Sequence, residues 1–132
     1  DLKLKDPIIG PFNEFRNTII SGDDEFKIQG PRAVLDGGEG DDYFDLLVDY
    51  AKVRGGNGND QFYFRPDRGK KGVLLITDFS AEKDAIQIDP VDASRLKIQP
   101  LSNNTILKIG NDTEIIFKNR KLVIDDINIV FD

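Results

Sequence analysis

The chain has 132 residues, enough for one domain with a buried core, and its 39% hydrophobic and 32% charged residues are those of an ordinary folded protein. It contains no Cys and no His, which excludes disulfides, thiolate metal sites, a Ser-His-Asp triad, a histidine base and a zinc-type ligand set. The net charge of -6 lies wholly in residues 19–63, where ten acids face four bases, while the rest of the chain carries fourteen of each. That acidic balance argues against nucleic acid or an anionic membrane as partner, and the oxygen donors that remain suit a hard cation. The missing Cys does not fix the compartment. No apolar run approaches the roughly 20 residues of a membrane helix, and no signal peptide is evident. A start at Asp1 fits a processed protein or a piece of a longer one.

Residues 1–18 read as an N-terminal edge segment. Leu2 and Leu4 alternate with Lys3 and Lys5, Pro7, Gly10 and Pro11 interrupt regular structure, and Phe12 and Phe15 are placed to cover an open end of a core. From Ile19 a nine-residue frame appears, with units 19–27, 28–36, 37–45, 46–54 and 55–63. Two units are complete: Gly37-Gly38-Glu39-Gly40-Asp41-Asp42-Tyr43-Phe44-Asp45 and Gly55-Gly56-Asn57-Gly58-Asn59-Asp60-Gln61-Phe62-Tyr63. Unit 19–27 keeps Gly22 and Asp24, whereas units 28–36 and 46–54 lose the turn half. All five eighth positions (Phe26, Leu35, Phe44, Val53 and Phe62) are large and apolar.

This alternation has a geometric reading. If each nonapeptide is a turn plus a short strand, two of them make one coil with a strand on each side. Turns eighteen residues apart then stack on one edge, and the intervening turns stack on the other. Glycines let the backbone adopt positive φ and bring its carbonyls close. Asp24, Asp42 and Asp60 would stack and repel one another in a low-dielectric slot. A calcium ion between levels, taking about 6–8 mixed oxygen ligands, answers that repulsion better than Mg²⁺ with its stricter octahedron.

The tract resembles the repeats-in-toxin (RTX, haemolysin-type) family, whose nonapeptide has the form Gly-Gly-x-Gly-x-Asp-x-apolar-x. The resemblance implies an all-β fold: a short right-handed parallel β-roll over 19–63, followed by a mainly antiparallel β cap over 64–132, all in a single domain 1–132. It implies calcium held by backbone carbonyls of Gly37, Gly38, Glu39, Gly40, Gly55, Gly56, Asn57 and Gly58 and by the carboxylates of Asp42, Asp60 and Asp24, with one to three ions. Only two of five units are complete, so the best site is expected between the turns at 37–42 and 55–60. The Glu39 side chain is expected in solvent. For Asp41, Asp45 and Asp49 a solvated acidic edge is the expectation.

Beyond the repeats, Gln61–Arg65 continues as a longer strand and 66–72 is a basic turn. The cluster of Arg65, Arg68, Lys70 and Lys71 reads as a soluble loop rather than an anion site. Ile76-Thr77-Asp78-Phe79 followed by Asp84-Ala85-Ile86-Gln87-Ile88 resembles the segment that commonly trails the last RTX repeat. Asp78 lies eighteen residues after Asp60 and is therefore a candidate for the last calcium level. Residues 90–132 read as strands, with a hairpin around Gly110-Asn111-Asp112, a final strand within Leu122–Phe131 and a tight turn at Asp125-Asp126.

Paired carboxylates doing acid–base work on a glycan would give an enzyme reading. Metal ligation already accounts for the clustered acids, and five units with a cap leave no evident pocket. The expectation is a non-catalytic, calcium-binding module of a secreted or cell-surface bacterial protein. Its metal binding is coupled to folding, and the resemblance implies help in type I secretion. Two other readings stay open: a self-associating structural or adhesive subunit of a surface polymer, or the accessory module of a larger secreted enzyme.

Overall fold

The computed structural model describes residues 8–9 (backbone), 14–17, 22–66 and 71–131. The expectations for Leu2, Leu4, Phe12, Arg68 and Lys70 fall outside these residues. Among the described residues eleven strands form one curled mixed sheet: β1 (Ile8–Ile9), β2 (Phe15–Arg16), β3 (Glu25–Asp36), β4 (Tyr43–Arg54), β5 (Gln61–Arg65), β6 (Gly72–Ile76), β7 (Ala85–Ile88), β8 (Leu96–Leu101), β9 (Asn104–Ile109), β10 (Thr113–Phe117) and β11 (Asn128–Phe131). Helical structure among the described residues is limited to short 3-10 turns at Pro90–Arg95 and Ile124–Asp126. No described helix is long and apolar enough to cross a membrane.

The eighteen-residue period becomes a register. Strand β3 pairs with β4 in parallel from Glu25↔Tyr43 to Asp36↔Arg54. Each of these strands has twelve residues and passes round one edge of the roll without a turn. The second row of turns expected there does not form, because Gly30-Pro31 and Asp49-Tyr50 merely bend a continuous strand. Neither Gly30 nor Pro31 is inward and buried, and the in/out alternation resets across them. The halves of β4 then part company. Tyr43–Leu47 pairs with β5 and Tyr50–Val53 pairs with β6, so the sheet folds over on itself.

Face A, on one side of the fold, runs β1, first half of β3, first half of β4, β5, β7 and β11, all parallel. Face B, on the other, runs β2, second half of β3, second half of β4, β6 and β10 in parallel, then β9 and β8 antiparallel. Parallel stacking thus continues past the nonapeptides through β6, β7, β10 and β11. The antiparallel part is the three-stranded run β8–β9–β10, with the expected hairpin pairing Ile109 with Thr113.

Inward residues of both faces belong to one core. The five eighth positions are all in it, none more than 3% exposed. Phe26, Phe44 and Phe62 stack as parallel rings with centroids 5.0 and 5.1 Å apart. The column continues through Phe79 to Phe117, 4.6 Å beyond it and edge-on. Burial of that many aromatic rings dominates the apolar contribution to stability. Phe15 packs partly buried against the core, as expected for an end cover.

Candidate metal centre

Behind the phenylalanine column runs a column of carboxylates. A short pattern places them: Asp, any residue, apolar, any residue, apolar. It recurs at Asp24–Ile28, Asp42–Leu46, Asp60–Phe64 and Asp84–Ile88. In each copy the apolar pair turns into the core, and the Asp one residue before the strand closes the turn. Asp24, Asp42, Asp60 and Asp84 are each at most 2% exposed. They are linked level to level. The backbone N–H of Asp24 donates to Oδ1 of Asp42 (2.9 Å), that of Asp42 to Oδ1 of Asp60 (3.0 Å), and that of Asp60 to Oδ1 of Asp84 (2.9 Å). A second, exposed ladder runs beside the first in the opposite sense. Asp23 Oδ1 accepts from the Asp41 N–H, and Asp41 Oδ1 accepts from the Asn59 N–H.

One oxygen each of Asp42, Asp60 and Asp84 is thereby used. Oδ2 of Asp42 and Oδ2 of Asp60 are buried and accept no hydrogen bond. Each lies where only glycine leaves room. A Cβ on Gly55 would stand 2.6 Å from Asp60 Oδ2; a Cβ on Gly37 would overlap Asp42 Oδ2 and stand 2.7 Å from the Gly55 carbonyl oxygen. Gly56 has φ of 84°, and a Cβ there would collide with the Gly38 carbonyl oxygen. The Gly40 carbonyl approaches Gly58 in the same way. The gap between the turns at 37–42 and 55–60 is therefore lined by Gly38, Gly40 and Gly55 carbonyls together with Asp42 Oδ2. Glu39 and Asn57 have exposed side chains, so they offer the gap at most their backbones.

Burying these acids is unfavourable while they carry charge. Desolvation pushes Asp42 up from 3.8 to about 7, with Asp24 adding repulsion. Asp60 rises to about 8 by desolvation, with repulsion from Asp84, Asp42 and Asp78. Asp84 is also raised by burial, against the hydrogen bonds it accepts from Ser80 and Asp60. The arrangement stores repulsion that a cation would relieve. Its donors are all hard oxygens, so the residues fit calcium better than any soft metal. Among the described residues no three acidic side chains gather closely enough to hold a metal between them.

Asp24, Asp42 and Asp60 thus fall in one column as the frame predicts. Asp78 falls beside it. Its Oδ1 accepts from the Gly55 N–H (2.9 Å) and its Oδ2 from the Gly56 N–H (2.8 Å), so it braces the turn at 55–60. The column position on that level belongs to Asp84, whose Oδ2 accepts from Ser80 N–H at 2.8 Å. Asp84 is invisible in the eighteen-residue frame because it follows Asp60 by twenty-four residues. The recurring Asp-x-apolar-x-apolar pattern is the signal that finds it. The next level carries buried Ile127 in the equivalent place, just before Asn128↔Ala85, and there the carboxylates end.

Of the remaining acids, Asp41 is exposed, and Asp45 is half-buried and paired with Arg65, whose guanidinium also lies 4.0 Å from the Tyr63 ring centre. Asp49 is half-buried on the turnless edge, away from the column. No family model matches the chain, and no curated protein matches it.

Proposed function

We propose that the chain is a non-catalytic calcium-binding β-roll module of the RTX type, belonging to a secreted or cell-surface bacterial protein. The observation that carries this reading is the pair of buried, unpartnered oxygens on stacked turns, Asp42 Oδ2 beside the Gly55 carbonyl and Asp60 Oδ2 against Gly55. A buried carboxylate with an unsatisfied oxygen is costly, and four acids in one column compound that cost. Bound calcium would supply the missing positive charge. The chain's own residues do the rest: Asp42 and Asp60 hold their carboxylates in line through the level-to-level N–H bonds, glycines bring carbonyls to the gap, and Asp78 fixes the turn at 55–60. Because the site is assembled from residues on successive coils, metal binding free energy is folding free energy. Low calcium then leaves the column under repulsion, and calcium outside the cell relieves it.

The test is a calcium titration into EDTA-treated protein, followed by circular dichroism and calorimetry. Calcium is expected to raise the melting temperature, with one to three ions bound. Asp60→Ala weakens binding much more than Asp49→Ala. A calcium-free protein whose melting temperature is unmoved by millimolar calcium would overturn the reading.

A further inference from the structure

Two bonds on the turn edge join an aspartate-type side chain directly to a glycine: Asp36-Gly37 and Asn57-Gly58. In such a pair the glycine nitrogen can attack the side-chain carbonyl carbon one residue back and close a five-membered ring, because no Cβ obstructs the approach. Whether it does depends on what holds the nitrogen and the side chain. At Asp36-Gly37 both are held. The Gly37 N–H donates to the Arg54 carbonyl (2.9 Å), and Asp36 Oδ1 accepts from the Gly38 N–H (2.9 Å) and from Arg54 (2.8 Å). At Asn57-Gly58 neither is held. Among the described residues the Gly58 N–H and the Asn57 side chain make no hydrogen bond, Asn57 is exposed, and the chain bends at these two residues.

The fold also keeps the reactive pair in place. Gly58 has φ of 100°, and a Cβ there would collide with the Gly40 carbonyl oxygen. No bulkier residue can therefore stand at 58 and shield Asn57. The equivalent place in the turn at 37–42 holds Glu39, whose longer side chain would need a six-membered ring and has no ammonia to lose. Other exposed asparagines are worse placed. Asn59 precedes Asp60, whose N–H is committed to Asp84 Oδ1 at 2.9 Å. Asn103 and Asn111 precede Asn104 and Asp112, whose side chains crowd the nitrogen.

We infer that Asn57 is a self-modification site, deamidated through a succinimide formed with Gly58. The Gly58 nitrogen gives its proton to solvent and bonds to Asn57 Cγ. The Cγ–Nδ2 bond breaks, and the amide leaves as ammonia. Water then opens the ring. Cleavage of the new Cγ–N bond gives aspartate on a normal backbone. Cleavage of the original C–N bond gives isoaspartate, in which the main chain runs through the side chain and is one methylene longer. No electrons are exchanged, and water is the sole co-reactant.

Either product turns a neutral side chain into a carboxylate, so the net charge goes from -6 to -7, beside a column already under repulsion. Isoaspartate does more. The turns at 37–42 and 55–60 touch where Gly56 meets the Gly38 carbonyl and Gly58 meets the Gly40 carbonyl. The added methylene falls between those two contacts and puts them out of step. The turn at 55–60 thus carries a one-way clock that the turn at 37–42 lacks. The inference goes beyond calcium binding and does not depend on it.

The test is incubation of the full chain in warm, mildly alkaline buffer with millimolar calcium, where it is folded whether or not it needs the metal, and in parallel in urea. Peptide mass spectrometry reads deamidation, and labelling by an isoaspartyl methyltransferase reads isoaspartate. In the folded protein Asn57 is expected to convert ~10-fold or more faster than Asn59, Asn103 or Asn111, with no isoaspartate at Asp36. In urea isoaspartate should appear at Asp36 as well. Asn57→Gln should abolish conversion at that position. The isoaspartate product, separated by ion exchange, should melt below the Asn57→Asp variant, which has the same charge on a normal backbone. An Asn57 that stays intact in the folded protein while the urea sample converts would overturn the inference. So would equal conversion at Asn59 or Asp36 in the folded protein, or equal melting of the isoaspartate form and Asn57→Asp.

Discussion

The two edges of the roll solve the same problem in opposite ways. On one edge the chain reverses through glycine-aspartate turns whose carboxylates are buried in a column. On the other, β3 and β4 simply continue, bending at Gly30-Pro31 and Asp49-Tyr50, and their parallel ladder skips only the Pro31/Asp49 position. The continuous edge satisfies most of its backbone by strand pairing. The turn edge cannot pair its backbone throughout, so it exposes carbonyls inward and places acids beside them, which leaves buried charge. The buried carboxylate column belongs to one edge only, and variants on the two edges should behave differently.

The largest effect is expected where both edges share the core. Phe44 stacks between Phe26 and Phe62, so Phe44→Ala should cost about 3–5 kcal/mol in urea unfolding, with or without calcium. A calcium-dependent cost would mean that the core forms only after the turns.

Next comes the glycine comparison. Gly56→Ala puts a methyl against the Gly38 carbonyl at positive φ and should destabilise by about 3 kcal/mol. Gly30 on the opposite edge is not among the positive-φ glycines, and Gly30→Ala should stay within about 1 kcal/mol of the parent. Similar costs at both positions would break the contrast between edges.

The pH response sharpens it further. Asp42 and Asp60 are raised from 3.8 to about 7 and about 8 in the folded protein. Between about pH 4 and 8 the folded state therefore holds protons that the unfolded chain has released, and stability falls as pH rises through that window. Melting temperatures of the calcium-free protein should decline from pH 5 to pH 8. Asp60→Asn should flatten that decline and raise calcium-free stability at pH 8, while lowering the gain from calcium. A calcium-free protein most stable at pH 8 would show that the column is not under repulsion.

The smallest effect belongs to the surface. Arg54 and Asp36 form an ion pair at 2.8 Å with side chains 49% and 23% exposed. Arg54→Ala should cost less than about 1 kcal/mol, and less still in high salt.

Much of this was written in local pattern. The nine-residue frame placed Phe26, Leu35, Phe44, Val53 and Phe62 inside, because alternation in a strand fixes which side chains share a face. The same frame aligned Asp24, Asp42 and Asp60, since a constant spacing becomes a constant register when coils stack. The hairpin at Gly110-Asn111-Asp112 followed from turn chemistry alone. What lay outside local pattern was decided by packing. Whether Gly30-Pro31 turns or bends depends on the neighbouring strand that pairs across it. Asp84 rather than Asp78 completes the column because the connection before β6 is longer: Tyr50 pairs with Val73, a step of twenty-three residues. The parallel return of β11 beside β7 joins residues more than forty apart. Spacing along the sequence determines what repeats. Only the closed sheet determines which unequal segments meet, because those contacts arise between residues no local period connects.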